Sequence, residues 1–449
     1  MRFAVLAAFS AIPLQWFILG QTVVGDIRIH QLAVMCLTVV IVFKFGLPWL
    51  ERHVRGAHVF IAANLYMIIL WVAMNFFNGL GMSQPIKQVA FLAGFIAIAA
   101  LFHHIIRTED TGLIDAMRWA AAASVTVLLM AFGFSMLSNG VNPIDVVTRA
   151  IEAGDPDILQ KELFRSSFSG FGYDANKEAI GNLRHEVFGG LLFTMYVASW
   201  ANARRPLTVP KQRNLYRASL VVGAMLLLIS LSRSVLVAAA IWPLLSLVRA
   251  LMTGRVSPRQ QLAVVAGVFG TAILALTGFL SLLWTRFTEE TESYSVRESL
   301  ISLAFERIQD NFWTGGIETE GSSSHNFVLD MWQRGGIFVG IPAVFIFLFI
   351  SFFWLQQLLR LRTVSDDLFI LTAAMAFPCV RLVTQGGGSL QVVEWVILAF
   401  IIGVLTACRE LANAPPDEEP TESTQAQALL PESQAAALRR LRSARSRLK

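Results

Sequence analysis

Charge is what this sequence has least of. Only 15% of its 449 residues are Asp, Glu, Lys or Arg, against roughly 25% in soluble domains, which leaves too little polar surface to clothe a large water-soluble body. Acids are the scarcer sign, 31 against 36 bases, so carboxylate-driven chemistry has few candidates. Cysteine is scarcer still. Cys36 and Cys379 lie in apolar runs and Cys408 at a helix end, a spacing that spells neither a disulfide framework nor a metal knuckle. No Walker loop, dinucleotide fingerprint or His-Glu-x-x-His motif occurs. These absences argue against ATP-driven and nicotinamide-dependent chemistry; no cofactor, metal or nucleic-acid partner is implied. No inverted internal repeat is evident, which weakens a secondary transporter.

What is present is apolar: 55% hydrophobic residues, 33 Phe and 11 Trp, with a mean hydropathy of +0.59. Runs near bilayer-crossing length recur throughout. They predict an all-α, polytopic helical membrane protein with about 12 transmembrane helices, at 3–19, 29–47, 57–77, 85–106, 113–137, 186–201, 215–231, 234–251, 261–284, 336–359, 367–385 and 390–407. The first run is expected to be a retained helix and not a cleaved signal. Basic connections at Arg52 and Arg55, Arg107, Arg204 to Arg213, Arg255 and Arg259, and Arg360 and Arg362 all fall on one side, and the positive-inside rule makes that side cytoplasmic, together with both termini. Residues 1–408 form the expected transmembrane domain. Residues 409–449 form a cytoplasmic Pro/acid linker and a basic tail from Leu438 to Lys449, either a clamp on anionic lipid or a solvated terminus.

Two connections on the outer side, about 138–185 and 285–335, are too long to be turns. Apolar patches such as Leu300 to Phe305 and Ile308 predict short surface helices within the second. That loop, from Arg286 to Gly340, holds His325 after Gly321 and Ser322 to Ser324. A histidine at a water–membrane boundary can be neutral near pH 7 and take a proton from a hydroxyl, or it can be a surface residue with no task. Arg286, Arg297, Arg307 and Arg334 share the loop, and Arg233 sits in a very short outer turn, Ser232-Arg233-Ser234, against the charge asymmetry. Such a charge tends to face a protein interior or a ligand, and a guanidinium fork suits phosphate. Arg233 and Arg297 are therefore the preferred anion-binding candidates, with Arg165, Arg184, Arg381 and Asn326 secondary. Arg286, Arg307 and Arg334 read as interface anchors or partners of nearby acids. Arg381 and Glu394 can form a structural ion pair, and Arg184, with His185 and Glu186 beside it, can be a snorkelling helix-end residue.

The order Ser232-Arg233-Ser234, Arg297, Asn311-Phe-Trp-Thr-Gly315-Gly316, then His325-Asn326-x-x-Leu329 running into Gly336, resembles the O-antigen ligase and Wzy-type polymerase superfamily over about 215–360. The second glycine of the closing pair falls at Gly340, one position later than usual, and Asn311-Phe replaces the more usual Asn-Pro. The resemblance implies a metal-independent glycosyltransferase of the bacterial inner membrane with its active site at the periplasmic face. Its implied partners are an undecaprenyl-diphosphate-linked glycan donor, a glycan or lipid A core acceptor, membrane lipids and a chain-length regulator. It implies His325 as general base, and Arg233 and Arg297 as diphosphate ligands. A polymerase of O-antigen or exopolysaccharide repeats is favoured slightly over a ligase that builds lipopolysaccharide. A polysaccharide transporter or flippase, and a structural subunit of an assembly machine, are the competing classes.

Overall fold

The computed structural model describes residues 1–15, 18–22, 25–164, 180–254, 267, 269–288, 291–319, 323–384 and 390–413. The chain divides into two units, Met1–Ala407 and Cys408–Lys449. Helix dominates the first unit, because a segment in hydrocarbon must satisfy its own backbone groups. Helix α1 is Arg2–Ala11, shorter than the expected 3–19; Pro13, which lacks an amide hydrogen, follows it. The chain then makes a short antiparallel hairpin, β1 (Ile18–Thr22) and β2 (Gly25–Arg28), pairing Thr22 with Gly25 and Ile18 with Arg28 around an irregularity after Ile18.

The remaining helices are α2 (Ile29–Phe45), α3 (Leu47–His53), α4 (His58–Phe77), α5 (Ser83–Thr108), α6 (Thr111–Arg118), α7 (Ala120–Ser138), α8 (Pro143–Ala153), α9 (Pro156–Ile158), α10 (Ile180–Arg204), α11 (Pro210–Ile229), α12 (Arg233–Thr253), α13 (Phe279–Thr288), α14 (Thr291–Asp310), α15 (Phe327–Leu359), α16 (Asp366–Ala374), α17 (Ala376–Thr384) and α18 (Val392–Asn413). Among the described residues, seven helical stretches are long and apolar enough to cross a membrane, or eight if α2 and α3, bent by 104°, are one span. The bend falls at Gly46 (φ 80°), with Pro48 opening the next helix. This is a multi-pass membrane protein. Helices do populate the long 285–335 segment: it holds the end of α13 and all of α14, and α15 begins at Phe327, well before the expected 336.

Two kinds of helix make up the bundle. Helix α18 is the most enclosed, with 89% of its apolar window buried, whereas α12 has 17% and presents most of its surface outward, as a lipid-facing helix does. Helix α10 carries polar residues at both ends, yet it is buried on nearly every side from Val187 to Ala201, the position expected of a helix apolar all round. Aromatic rings lock these central helices together. Phe102 of α5 lies 4.7 Å from Phe400 of α18 and 5.7 Å from Trp200 of α10, and Trp200 lies 5.4 Å from Phe400. Gly403 brings α18 so near α5 that a Cβ there would stand 2.4 Å from the Ala99 carbonyl oxygen, the small-residue packing that membrane helices rely on.

A polar clamp sets the alignment of α12. Arg249 donates to Asp366 Oδ1 at 2.9 Å and to the Val364 carbonyl at 2.7 Å, while Arg204 of α10 donates to Asp367 Oδ2 at 2.8 Å. The C-terminal end of α12 is thus held at the N-terminal end of α16, and α12 packs antiparallel along α16 and α17. At 1.5 Å per residue, Arg233 lies about 24 Å up α12 from Arg249, and Arg381 about 22 Å up from Asp366. The clamp therefore brings Arg233 and Arg381 to one level at the opposite end of the bundle.

Candidate active site

The site at that end is assembled from the His325 turn. Asn326 is the N-cap of α15, its Oδ1 accepting from the Val328 and Leu329 amides at 3.0 and 3.2 Å, the ordinary work of an Asn before a helix. Its side chain is thereby committed to the helix end. His325 itself adopts a left-handed backbone, φ 57°, uncommon for a residue with a Cβ. Ser323 Oγ accepts the His325 amide at 3.0 Å, and both Ser323 and Ser324 donate their hydroxyls to Asp330, which is fully buried.

The next device is a break inside α15 at Gly335–Gly336. Gly336 has φ 60° and ψ −156°, and a Cβ there would meet the Trp313 carbonyl oxygen at 2.2 Å; one at Gly315 (φ 64°) would meet the Gly336 nitrogen at 2.4 Å. The break opens backbone groups that the segment after α14 satisfies: Gly316 N donates to Arg334 O at 3.0 Å, Ile317 N to Gln333 O at 3.1 Å, and Ile337 N to Phe312 O at 2.9 Å. The two halves of the sequence motif, Asn311 to Gly316 and His325 to Gly336, are therefore one interlocked structure. Asn78 ties it to the end of α4 through the Thr314 carbonyl at 3.0 Å. Arg334 is buried, donating to Thr319 Oγ1 at 2.7 Å with its guanidinium 5.3 Å from the Trp71 ring centre, and Arg307 reaches Gln333 Oε1 at 3.5 Å. Both serve the scaffold.

Two arginines act on His325 through space. Burial first, then the Arg297 guanidinium, hold the imidazole below its ordinary value of 6.5; Asp330 pulls it back up, and Arg381 adds to the lowering. His325, half-buried, is consequently a neutral base at pH 7 lying in a field of guanidinium groups. Arg297 comes from α14 and Arg381 from α17. Arg233 stands at the start of α12, after a tight turn in which Leu231 has φ 49° and the Ser232 amide donates to Ser230 Oγ at 3.2 Å. It shares the level of Arg381.

Behind these residues lies a buried ionic network. The Arg381–Glu394 pair expected from the sequence is present, Nε to Oε1 at 2.9 Å, and Glu394 Oε2 also accepts the Gln391 amide at 2.9 Å. Glu186, at the start of the buried part of α10, lies within electrostatic reach of Arg28, Arg381 and Glu394 and pairs with Arg28 at 2.9 Å. Gln88 ties α5 to the start of α18, donating to Leu390 O at 2.9 Å and accepting from Trp395 Nε1 at 3.0 Å. Arg28 was not singled out by sequence reasoning, although it stands, like Arg233, against the basic-side asymmetry of the connections, and the same signal could have found it. Arg165 lies outside the described residues, as do the side chains of Arg184, His185 and Arg286. Among the described residues no cluster of three His, Cys, Asp or Glu could hold a metal ion.

Fold and site together define a multi-pass helical membrane protein with a basic site, built around one neutral histidine, at one end of its bundle. No model of a known protein family matches the chain, and no curated protein matches it.

Proposed function

We propose that the chain is a glycan transferase of the bacterial inner membrane. It would move undecaprenyl-diphosphate-linked saccharide repeats onto an acceptor hydroxyl at the periplasmic face, with repeat polymerisation as the leading reaction and ligation to lipid A core as the alternative. The observation that carries this reading is the neutral His325 within electrostatic reach of Arg297 and Arg381, a base set among groups that bind phosphate. In the proposed step His325 takes the proton of the acceptor hydroxyl, whose oxygen bonds to the anomeric carbon as that carbon's bond to the diphosphate oxygen breaks. The lipid diphosphate leaves as an anion, its added charge met by Arg233 and Arg297. Direct displacement of this kind inverts the anomeric centre, and the imidazolium returns its proton to water. The topology that serves this reaction is the twelve-span arrangement with both termini cytoplasmic, which sets the His325 end of the bundle toward the periplasm.

The test is transfer by the purified protein in nanodiscs, supplied with lipid-linked repeats alone or with lipid A core. A ladder from repeats alone supports polymerisation, and product only with core supports ligation. His325→Ala is expected to lower turnover at least ~100-fold, the lower end of the range for general-base loss, while keeping the unfolding temperature. Full transfer by that variant would overturn the mechanism, and substrate crossing the bilayer without transfer would favour a flippase.

A further inference from the structure

We infer that Asp330 is the positioning residue of this site: its buried carboxylate shapes the turn that carries His325 and supplies the negative charge that the imidazole faces. The inference rests on the reading of His325 as the base. Asp330 lies on the first turn of α15 and is fully buried. Oδ2 accepts the Ser323 hydroxyl, while Oδ1 accepts the Ser324 amide at 2.8 Å, the Ser324 hydroxyl at 2.7 Å and Gln333 Nε2 at 3.4 Å.

A carboxylate only accepts, so it dictates the direction of both hydroxyls. Each serine must donate to Asp330 and turn a lone pair to the chain: Ser323 Oγ accepts from the His325 amide at 3.0 Å and Ser324 Oγ from the Asn326 amide at 3.3 Å. These two relays grip the backbone on either side of the His325 Cα, which accounts for a left-handed conformation that persists only where its surroundings over-determine it. Gln333 extends the grip, since it also accepts from Arg307 of α14 at 3.5 Å, the helix that brings Arg297. One buried carboxylate thus connects the turn of the base to the helix of an anion-binding arginine. Among the described residues, the charges acting on the imidazole are Arg297 from α14, Arg381 from α17 and Asp330 from its own helix, of which Asp330 is the negative one.

Asp330→Asn keeps the shape and removes the charge. The readout is the histidine NMR titration of the purified protein in nanodiscs, with the His325 signal assigned by its loss in His325→Ala, alongside the pH profile of transfer. Asp330→Asn is expected to move the His325 midpoint to lower pH, carry the acid limb of turnover the same way, and lower turnover about 10–100-fold through misplacement of the base. Ser323→Ala, which cuts one relay and leaves the charge, is expected to lower turnover with the midpoint unmoved. An Asp330→Asn protein whose midpoint and acid limb stay in place overturns the inference, even if turnover falls. If that variant does not fold, wild-type turnover in Ser323→Ala overturns it instead. The titration needs no substrate, so transfer retained by His325→Ala would sink the functional reading while the titration still judges the hold of Asp330 on the imidazole.

Discussion

His325 works under opposing influences. Burial and two guanidinium groups disfavour its proton while one carboxylate favours it, and the net effect is a lowered proton affinity. The folded chain therefore binds fewer protons than the unfolded one in the window just below 6.5. Its contribution to stability is present above that value and lost as pH falls through the window. Transfer is expected to persist to lower pH than an ordinary histidine would allow, with an acid limb below 6.5. Arg297→Gln relieves one repulsion and should shift the limb upward toward 6.5 at saturating donor, checked by the pH profile of turnover; a limb that stays put would remove Arg297 from the neighbourhood of the base. At this scale the sequence was informative about residue type and poor about partners. His325, Arg233 and Arg297 stood out by rarity and context and Arg381 only as a secondary candidate, while Asn326, also secondary, has a side chain that proves to be a helix cap. Arg28 escaped notice because the partner that gives it meaning, Glu186, lies far along the chain.

Among the elements, the break in α15 decides how the motif works. A hydrophobic run continuing from Ile337 predicts a helix starting near 336, and the structure begins it at Phe327, with Asn326 capping it and Gly335–Gly336 interrupting it. Periodicity could not show this, because the interruption exists to receive the Phe312–Ile317 segment, and the hydrogen bonds that compensate it come from that segment. Gly336→Ala would meet the Trp313 carbonyl and force a Cβ onto a left-handed backbone. The expected cost is about 1–3 kcal/mol, read as a lowered unfolding temperature in detergent together with weakened transfer. Wild-type stability in that variant would show that the interlock is dispensable. The spacing of Gly340 has its own local reason, since a side chain there would strike the Trp332 ring at 2.5 Å.

Across the whole molecule, the site depends on pairs that join distant parts of the chain. Arg28 precedes α2, Glu186 belongs to α10, Arg381 to α17 and Glu394 to α18, and the Arg381–Glu394 side chains are only 5% and 1% exposed. Breaking such a buried pair leaves an uncompensated charge, so Glu394→Gln is expected to destabilise the protein by roughly 3–5 kcal/mol, whereas Arg381→Met with Glu394→Leu should recover much of that loss. Chemical denaturation of the two proteins tests this, and equal losses would mean that the pair is not coupled. By itself the sequence determined the solvent: the scarcity of charge and the recurrence of apolar runs dictate a helical membrane protein, because hydrocarbon tolerates little else. It also determined which rare polar residues were worth attention. Only the tertiary structure decided their company. The Arg249–Asp366 clamp and the Arg28–Glu186 pair join residues 117 and 158 positions apart, and such pairings are settled by packing geometry, which leaves no local pattern to read.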